Sequence, residues 1–237
     1  MLHLKTIKAV TLDLDDTLWP VWPAIQRAEV VLQNWLNQHA PMTAALFANA
    51  AVRDEIRAHV VLTRPDIQHD LSAIRRETIR ATLNRAKEDP LLAEAGFDVF
   101  FAERNRVTLF DDAISSLEFL SARYPVVALS NGNADIERIG IKRYFRASIS
   151  AQQFGVGKPD ARIFHAAASA VDVSPENVLH IGDDARLDVL GALNAGMQTV
   201  WLNREEAEWA HTEKPHLTVR SLAQLCDYLK ADEQPAA

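Results

Sequence analysis

The chain has 237 residues, carries a net charge of −7 and is 48% apolar. Its length suits one large domain or a core with an inserted subdomain, and its acidity excludes a general electrostatic pull toward nucleic acid or an anionic membrane. The one cysteine, Cys226, excludes an internal disulfide framework and a cysteine-rich zinc cluster and points to a reducing, intracellular compartment.

The N-terminal residues lead into an apolar run that stops at Asp13, too short for a secretory signal. No run approaches the roughly 18 apolar residues of a membrane span, so a soluble cytoplasmic protein is expected. Ala9 to Leu14 reads as a buried parallel strand. From about Trp22 to Asn105 no strand signal appears. Helices are expected there over Ala24–His39, Thr43–Val61, Ile67–Ala86 and Leu91–Arg106, with Pro41, Pro65 and Pro90 at the breaks. Val30, Val31 and Leu36 are expected in the core of this helical stretch. The chain returns near Leu109, Phe110 and Asp111. A helix at Ala113–Ala122 precedes a strand at Val126–Leu129, and Ser148–Ala151 is a weaker strand. A helix at Ala161–Val171 and a turn at Ser174-Pro175 lead to a strand at Val178–Ile181. A helix at Leu187–Asn194 stops at Gly196, followed by a strand at Thr199–Leu202 and a helix at Ser221–Leu229. The tail after Ala231 reads as disordered. Alternating strand and helix predicts an α/β fold on a parallel sheet, residues 1–18 and 107–237, with a helical insertion at 19–106.

Three of the strands end in polar residues, where open α/β sheets bind ligands. They are Asp13-Leu14-Asp15-Asp16-Thr17, Ser130-Asn131-Gly132-Asn133, and Gly182-Asp183-Asp184 with Asp188 close behind. The spacing of Asp13 and Asp15 places both side chains on one face of an extended chain. Several carboxylates in one pocket resist joint ionisation. A divalent cation relieves that conflict, and oxygen ligands without thiolates point to Mg²⁺. Lys158 supplies a positive charge for a phosphate. Its surroundings are not a Walker loop, because Pro159 stands where Ser or Thr is needed. The Asp13 segment is not a calcium loop, because its sixth position is Leu18 and not glycine. Asp16 is expected to shape the turn leaving the sheet, and His180 to be a packed core histidine. Trp19 and Trp22 are expected either to pack between insert and core or to stack on a flat substrate ring. Arg75 and Arg76 form a solvated helix face or reach a distal substrate group.

Taken in order, these segments resemble the haloacid dehalogenase-like hydrolase superfamily over nearly the whole chain. The resemblance implies a Rossmann-like core with a small inserted helical cap. It implies that Asp13 attacks phosphorus to form an aspartyl-phosphate, and that Asp15 protonates the leaving oxygen and then activates water. Mg²⁺ would be held by Asp13, the Asp15 carbonyl and Asp183. Ser130, the Asn131 amide and Lys158 would hold the other phosphate oxygens. Asp184 and Asp188 would orient metal waters or Lys158. The superfamily's dehalogenases lack the second aspartate, so Asp15 favours phosphate ester cleavage. Within the superfamily the motifs are similar to those of bacterial phosphatases acting on FMN and on the ribitylaminouracil phosphate of riboflavin synthesis. The expected partner is therefore a small phosphorylated metabolite, with no nucleic acid or membrane. The alternatives are a phosphosugar mutase, a haloacid dehalogenase, or a catalytically silent binding protein, which would be expected to have lost Asp13, Asp15, Lys158 or Asp183.

Overall fold

In chain order the elements are β1 (Ala9–Leu12), α1 (Val21–His39), α2 (Pro41–Phe47), α3 (Ala50–Thr63), α4 (Leu71–Ala86), α5 (Leu92–Arg104), α6 (Ala113–Ser121), β2 (Val126–Ser130), β3 (Ala147–Ser150), α7 (Ala151–Phe154), α8 (Ala161–Ser169), β4 (Val178–Gly182), α9 (Gly191–Asn194), β5 (Gln198–Leu202), β6 (Leu217–Val219) and α10 (Leu222–Ala231). This computed structural model describes residues 1–231, so the tail after Ala231 lies outside the described residues. The chain divides into two units. One holds residues 1–20, 109–132 and 140 onward, and the other holds 21–108 and 133–139.

The first unit is built on a parallel six-stranded sheet in the order β3-β2-β1-β4-β5-β6. β1, β2, β4 and β5 are buried along their whole length, as continuous apolar runs in a sheet covered on both faces require. α8 lays Ile163, Phe164, Ala167 and Ala168 against Ala9, Val127, Leu129 and Val178 of the sheet. From β1 the chain builds outward to β2 and β3, then crosses to β4 on the other side of β1. That reversal is a topological switch point, where the carboxyl ends of neighbouring strands open a crevice. β1 stops two residues earlier than its apolar run suggests, because Leu18 N–H bonds the Leu14 carbonyl and folds the chain into a loop. β6 had no sequence signal. It is three residues long and lies at the sheet edge, with Leu217 and Thr218 partly open to water.

The second unit is helical. Ala28, Leu32 and Leu36 of α1 pack with Phe47 of α2, Ile79 and Leu83 of α4, and Phe97 and Phe100 of α5. Three expectations change here. Val30 is 59% exposed, because the buried stripe of α1 repeats every four residues through Ala24, Ala28, Leu32 and Leu36, leaving position 30 on the far side of the helix. The expected Thr43–Val61 helix is two helices, split where the Asn49 side chain caps α3 by accepting from Val52 N–H. The expected start at Ile67 belongs to a 3₁₀ turn, and α4 begins after Asp70, whose carboxylate accepts from Ala73 N–H at 2.9 Å. Residues 133–139, expected in the core, group with the helices. Asn133 accepts from Arg104 Nε at 3.1 Å and donates to Ser72 Oγ at 3.2 Å, and Asp135 N–H donates to Asn105 at 2.8 Å. No helix among the described residues is long and apolar enough to cross a membrane.

Candidate active site

The sheet delivers its acidic residues to the switch point. Asp13 N–H bonds the Ile181 carbonyl at 2.9 Å, which carries the β1–β4 pairing one residue past the strand. Asp13 therefore stands beside Gly182, and Asp183 follows. After Asp184 the chain makes a π-helical turn, Ala185–Leu190, which brings Asp188 back to the strand end. π-turns of this kind recur at functional sites. Gly182 is required by this return. A Cβ there would lie 2.3 Å from Asp188 Cγ, well inside contact distance.

Lys158 closes the cluster. Its ammonium donates to Asp13 Oδ1 and to Asp188 Oδ1, both at 2.5 Å, with all three side chains buried. The backbone of Lys158 is clamped by Asn131, whose amide donates to the Lys158 carbonyl at 2.8 Å and accepts its N–H at 2.7 Å. Gly157 makes room for that clamp, since a Cβ there would lie 2.6 Å from Asn131 Oδ1. Ser130, buried at the end of β2, accepts from Gly132 N–H at 2.9 Å and shapes the loop that follows.

Asp188 is held on both oxygens. Oδ1 receives Lys158 and His180 Nε2 at 3.1 Å, and Oδ2 receives Asp184 N–H at 3.0 Å. His180 is the expected core histidine, and its burial lowers its pKa. The neutral ring donates from Nε2 to Asp188 and accepts at Nδ1 from Thr11 Oγ1 at 2.8 Å. Sequence reasoning missed this link, although the strand pattern places Thr11 and His180 opposite each other. Asp184 is bound into the turn that follows it. Its carboxylate caps the π-turn through Arg186 and Leu187 N–H, and its backbone N–H supports Asp188.

The charges are out of balance. Asp13, Asp183 and Asp188 each bring an oxygen within 4.8 Å of the others, facing one lysine. Burial raises Asp13 well above the usual carboxylate range, with Lys158 opposing and Asp188 and Asp183 adding to the rise. Burial and the neighbouring Asp188 push Asp183 up to about 7. For Asp188 burial is outweighed by Lys158 and the His180 hydrogen bond, which hold it below the ordinary range. Lys158 itself is raised, because its two carboxylates outweigh its burial. Asp13 and Asp183 thus carry the uncompensated charge. The donor set is oxygen only, and two excess negative charges fit a hard divalent cation.

The remaining candidates fall in different places. Asp15 lies in the loop after β1, where its Oδ1 accepts from Trp19 Nε1 at 2.9 Å. Trp19 is fully buried, and Trp22 is 68% exposed on α1. Asp16 takes a left-handed conformation, φ 58°, at the turn and donates its N–H to the Trp19 carbonyl. Arg75 is not a solvated residue. It pairs with Glu29 at 2.6 Å and lies 4.3 Å over the Phe100 ring. Arg76 pairs with Glu94 and lies 3.9 Å over Phe97. Both arginines brace the helical unit in which they sit.

Comparison with known proteins agrees with this arrangement. The family model for haloacid dehalogenase-like hydrolases matches residues 7–196. The chain is 33% identical to the 5-amino-6-(5-phospho-D-ribitylamino)uracil phosphatase YigB of Escherichia coli, over 94% of this chain and 96% of that protein. It is 34% identical to the phosphoserine phosphatase of Thermus thermophilus, over 55% of each. The crystal structure of a 2-haloacid dehalogenase from Pseudomonas syringae pv. Tomato superposes with a TM-score of 0.90 at 34% identity, covering 96% of this chain and all of that one. With its parallel α/β core and the acidic switch-point cluster in place, the chain belongs to the haloacid dehalogenase-like hydrolase family.

Proposed function

We propose that the chain is a Mg²⁺-dependent phosphomonoesterase acting on a small phosphorylated metabolite through an aspartyl-phosphate on Asp13. The observation that carries this reading is the buried Asp13–Lys158 contact beside the carboxylates of Asp183 and Asp188. Lys158 opposes the rise that burial imposes on Asp13, which favours the ionised, nucleophilic form. Asp13 attacks phosphorus and the ester P–O bond breaks. Asp15 gives its proton to the leaving oxygen, then takes one from the water that attacks the aspartyl-phosphate, releasing inorganic phosphate and restoring Asp13. Ser130, Asn131 and Lys158 are the ligands for the phosphate oxygens, and Asp188 fixes Lys158 from behind. Mg²⁺ would be held by Asp13, Asp183 and the Asp15 carbonyl, and would supply charge neutralisation for the phosphate. In this reading the helical unit is the family's cap.

The substrate class follows the relative named above. The phosphorylated ribitylaminouracil and FMN are the first compounds to test. The likeness to the solved 2-haloacid dehalogenase favours a second reading, carbon–halogen hydrolysis. A departing halide needs no proton, so that chemistry has no use for Asp15, which here is held by Trp19. The test is phosphate release from these two compounds and an aryl phosphate, with and without Mg²⁺, beside halide release from 2-chloropropionate. Metal-dependent phosphate release that disappears in Asp13→Asn is expected. Activity surviving that substitution, or halide release in its place, refutes the proposal. Steady phosphate release also separates a phosphatase from a mutase, which would pass the phosphoryl group on.

A further inference from the structure

Asp183 is held in place from the far end of β5, by residues outside the sequence motifs. Trp201 is the fourth residue of that strand and is 6% exposed. Its indole N–H donates to the Asp183 carbonyl at 2.8 Å. Trp209, from the loop after β5, meets the Trp201 ring edge-on with centroids 4.9 Å apart, and its own N–H is satisfied by the Glu213 carbonyl at 2.9 Å. The loop thus packs an aromatic ring against the indole whose N–H holds Asp183.

A second arm reaches the Asp183 side chain. Thr17 Oγ1 donates to Asp183 Oδ1 at 2.9 Å. Arg204 donates to the Thr17 carbonyl at 3.1 Å while its guanidinium forks onto both oxygens of Asp112 at 3.0 and 3.3 Å. The same guanidinium lies 4.0 Å over the Phe110 ring. Asp112 is anchored in turn by Leu222 N–H at 2.7 Å. One arm therefore fixes the backbone of Asp183 and the other fixes its carboxylate, and both start within four residues of each other at the end of β5.

We propose that Trp201 and Arg204 are positioning residues that set the affinity of the site for its divalent cation by holding Asp183, without touching the reacting atoms. This rests on the reading of Asp183 as a cation ligand. Residues that orient metal ligands typically change metal affinity or activity by about 10- to 100-fold when replaced.

The test uses the full chain freed of metal, with Mn²⁺ binding followed by electron paramagnetic resonance and Mg²⁺ measured by competition. Trp201→Phe keeps the ring and removes the N–H. Arg204→Lys keeps the charge and removes the fork. Each is expected to weaken Mn²⁺ binding about 10-fold or more, and to raise the Mg²⁺ concentration for half-maximal activity in parallel. The kcat at saturating Mg²⁺ should stay within about 3-fold of wild type, since neither residue meets the substrate. Trp209→Phe retains the ring contact and should bind Mn²⁺ like wild type. Should Trp201→Phe fail to fold, Thr17→Val carries the same test on the other arm. Unchanged Mn²⁺ affinity in the folded variants overturns the inference alone. Wild-type protein that binds Mn²⁺ but releases no phosphate overturns the phosphatase reading alone, and a wild-type protein that binds no Mn²⁺ overturns both.

Discussion

Lys158 is the most informative residue to remove. Its ammonium bridges two carboxylates at 2.5 Å each, with its own side chain 3% exposed and those of Asp13 and Asp188 at 10% and 2%. Lys158→Met keeps the length and most of the volume, so packing changes little. What it leaves is two buried carboxylates facing each other without their cation. Breaking a buried ion pair from one side costs about 3–5 kcal/mol. Asp13, already raised by burial, can take up a proton and limit the cost, so about 3 kcal/mol is expected near neutral pH in EDTA. For a chain of this size that lowers Tm by roughly 6–12 °C. Asp188→Asn removes one of the two charges and keeps an acceptor for His180. The double variant should then be less destabilised than the sum of the singles, by about 2 kcal/mol. Urea unfolding in EDTA on wild type, both singles and the double gives the cycle. A cost below about 1 kcal/mol for Lys158→Met, or additivity within about 0.5 kcal/mol, would refute the picture of one lysine balancing two buried carboxylates.

Three other outcomes follow from the same geometry. Gly182→Ala places a methyl 2.3 Å from Asp188 Cγ, so Asp188 must withdraw from Lys158. Steady-state kinetics should show kcat down about 100-fold, and a wild-type kcat would contradict the close approach. Trp19→Phe removes the indole bond to Asp15. A lost charge-assisted bond of about 1.5–3 kcal/mol predicts kcat down about 10- to 100-fold on an alkyl phosphate. The loss should be much smaller on p-nitrophenyl phosphate, whose leaving group needs little protonation, and an equal loss on both substrates would count against Asp15 as the proton donor. The metal-free protein should also gain stability on mild acidification. Asp183 binds its proton more tightly folded, at about 7, than unfolded, near 4. Between those values the native state holds more protons, so stability falls as pH rises through the window, and Asp13 is shifted in the same direction. Tm measured from pH 4.5 to 8 in EDTA should decline toward the alkaline end, and saturating Mg²⁺ should flatten that decline. A flat profile without metal would mean that the carboxylates are not in conflict.

The parts of this site that a sequence discloses are those that chain neighbours disclose together. Asp13, Ser130 and Asp183 each terminate or follow an apolar strand, and strand order in a parallel sheet places such ends at one crevice. Lys158 is legible through its Gly-Lys-Pro setting, and the split of the expected Thr43–Val61 helix could have been read from Asn49, a good capping residue placed between two apolar stretches. The supports are of another kind. Thr11 and His180 are 169 residues apart, Thr17 and Asp183 are 166 apart, and Arg204 reaches Thr17 over 187. Each of these bonds exists only because the sheet has already set β1, β4 and β5 side by side. Composition is silent about them too. His180 passes for core and Trp201 for a strand aromatic, since each does its work through ring nitrogens alone. Arg75 shows the converse. Its charge on a helix suggested a solvated face or a distal substrate contact, and in the structure Glu29 and the Phe100 ring hold the guanidinium. Charge in the sequence thus marks where chemistry is available, while the buried hydrogen bonds decide which charges are left to perform it. By that criterion the pair to follow is Asp13 and Asp183, the two carboxylates whose proton affinity the fold raises.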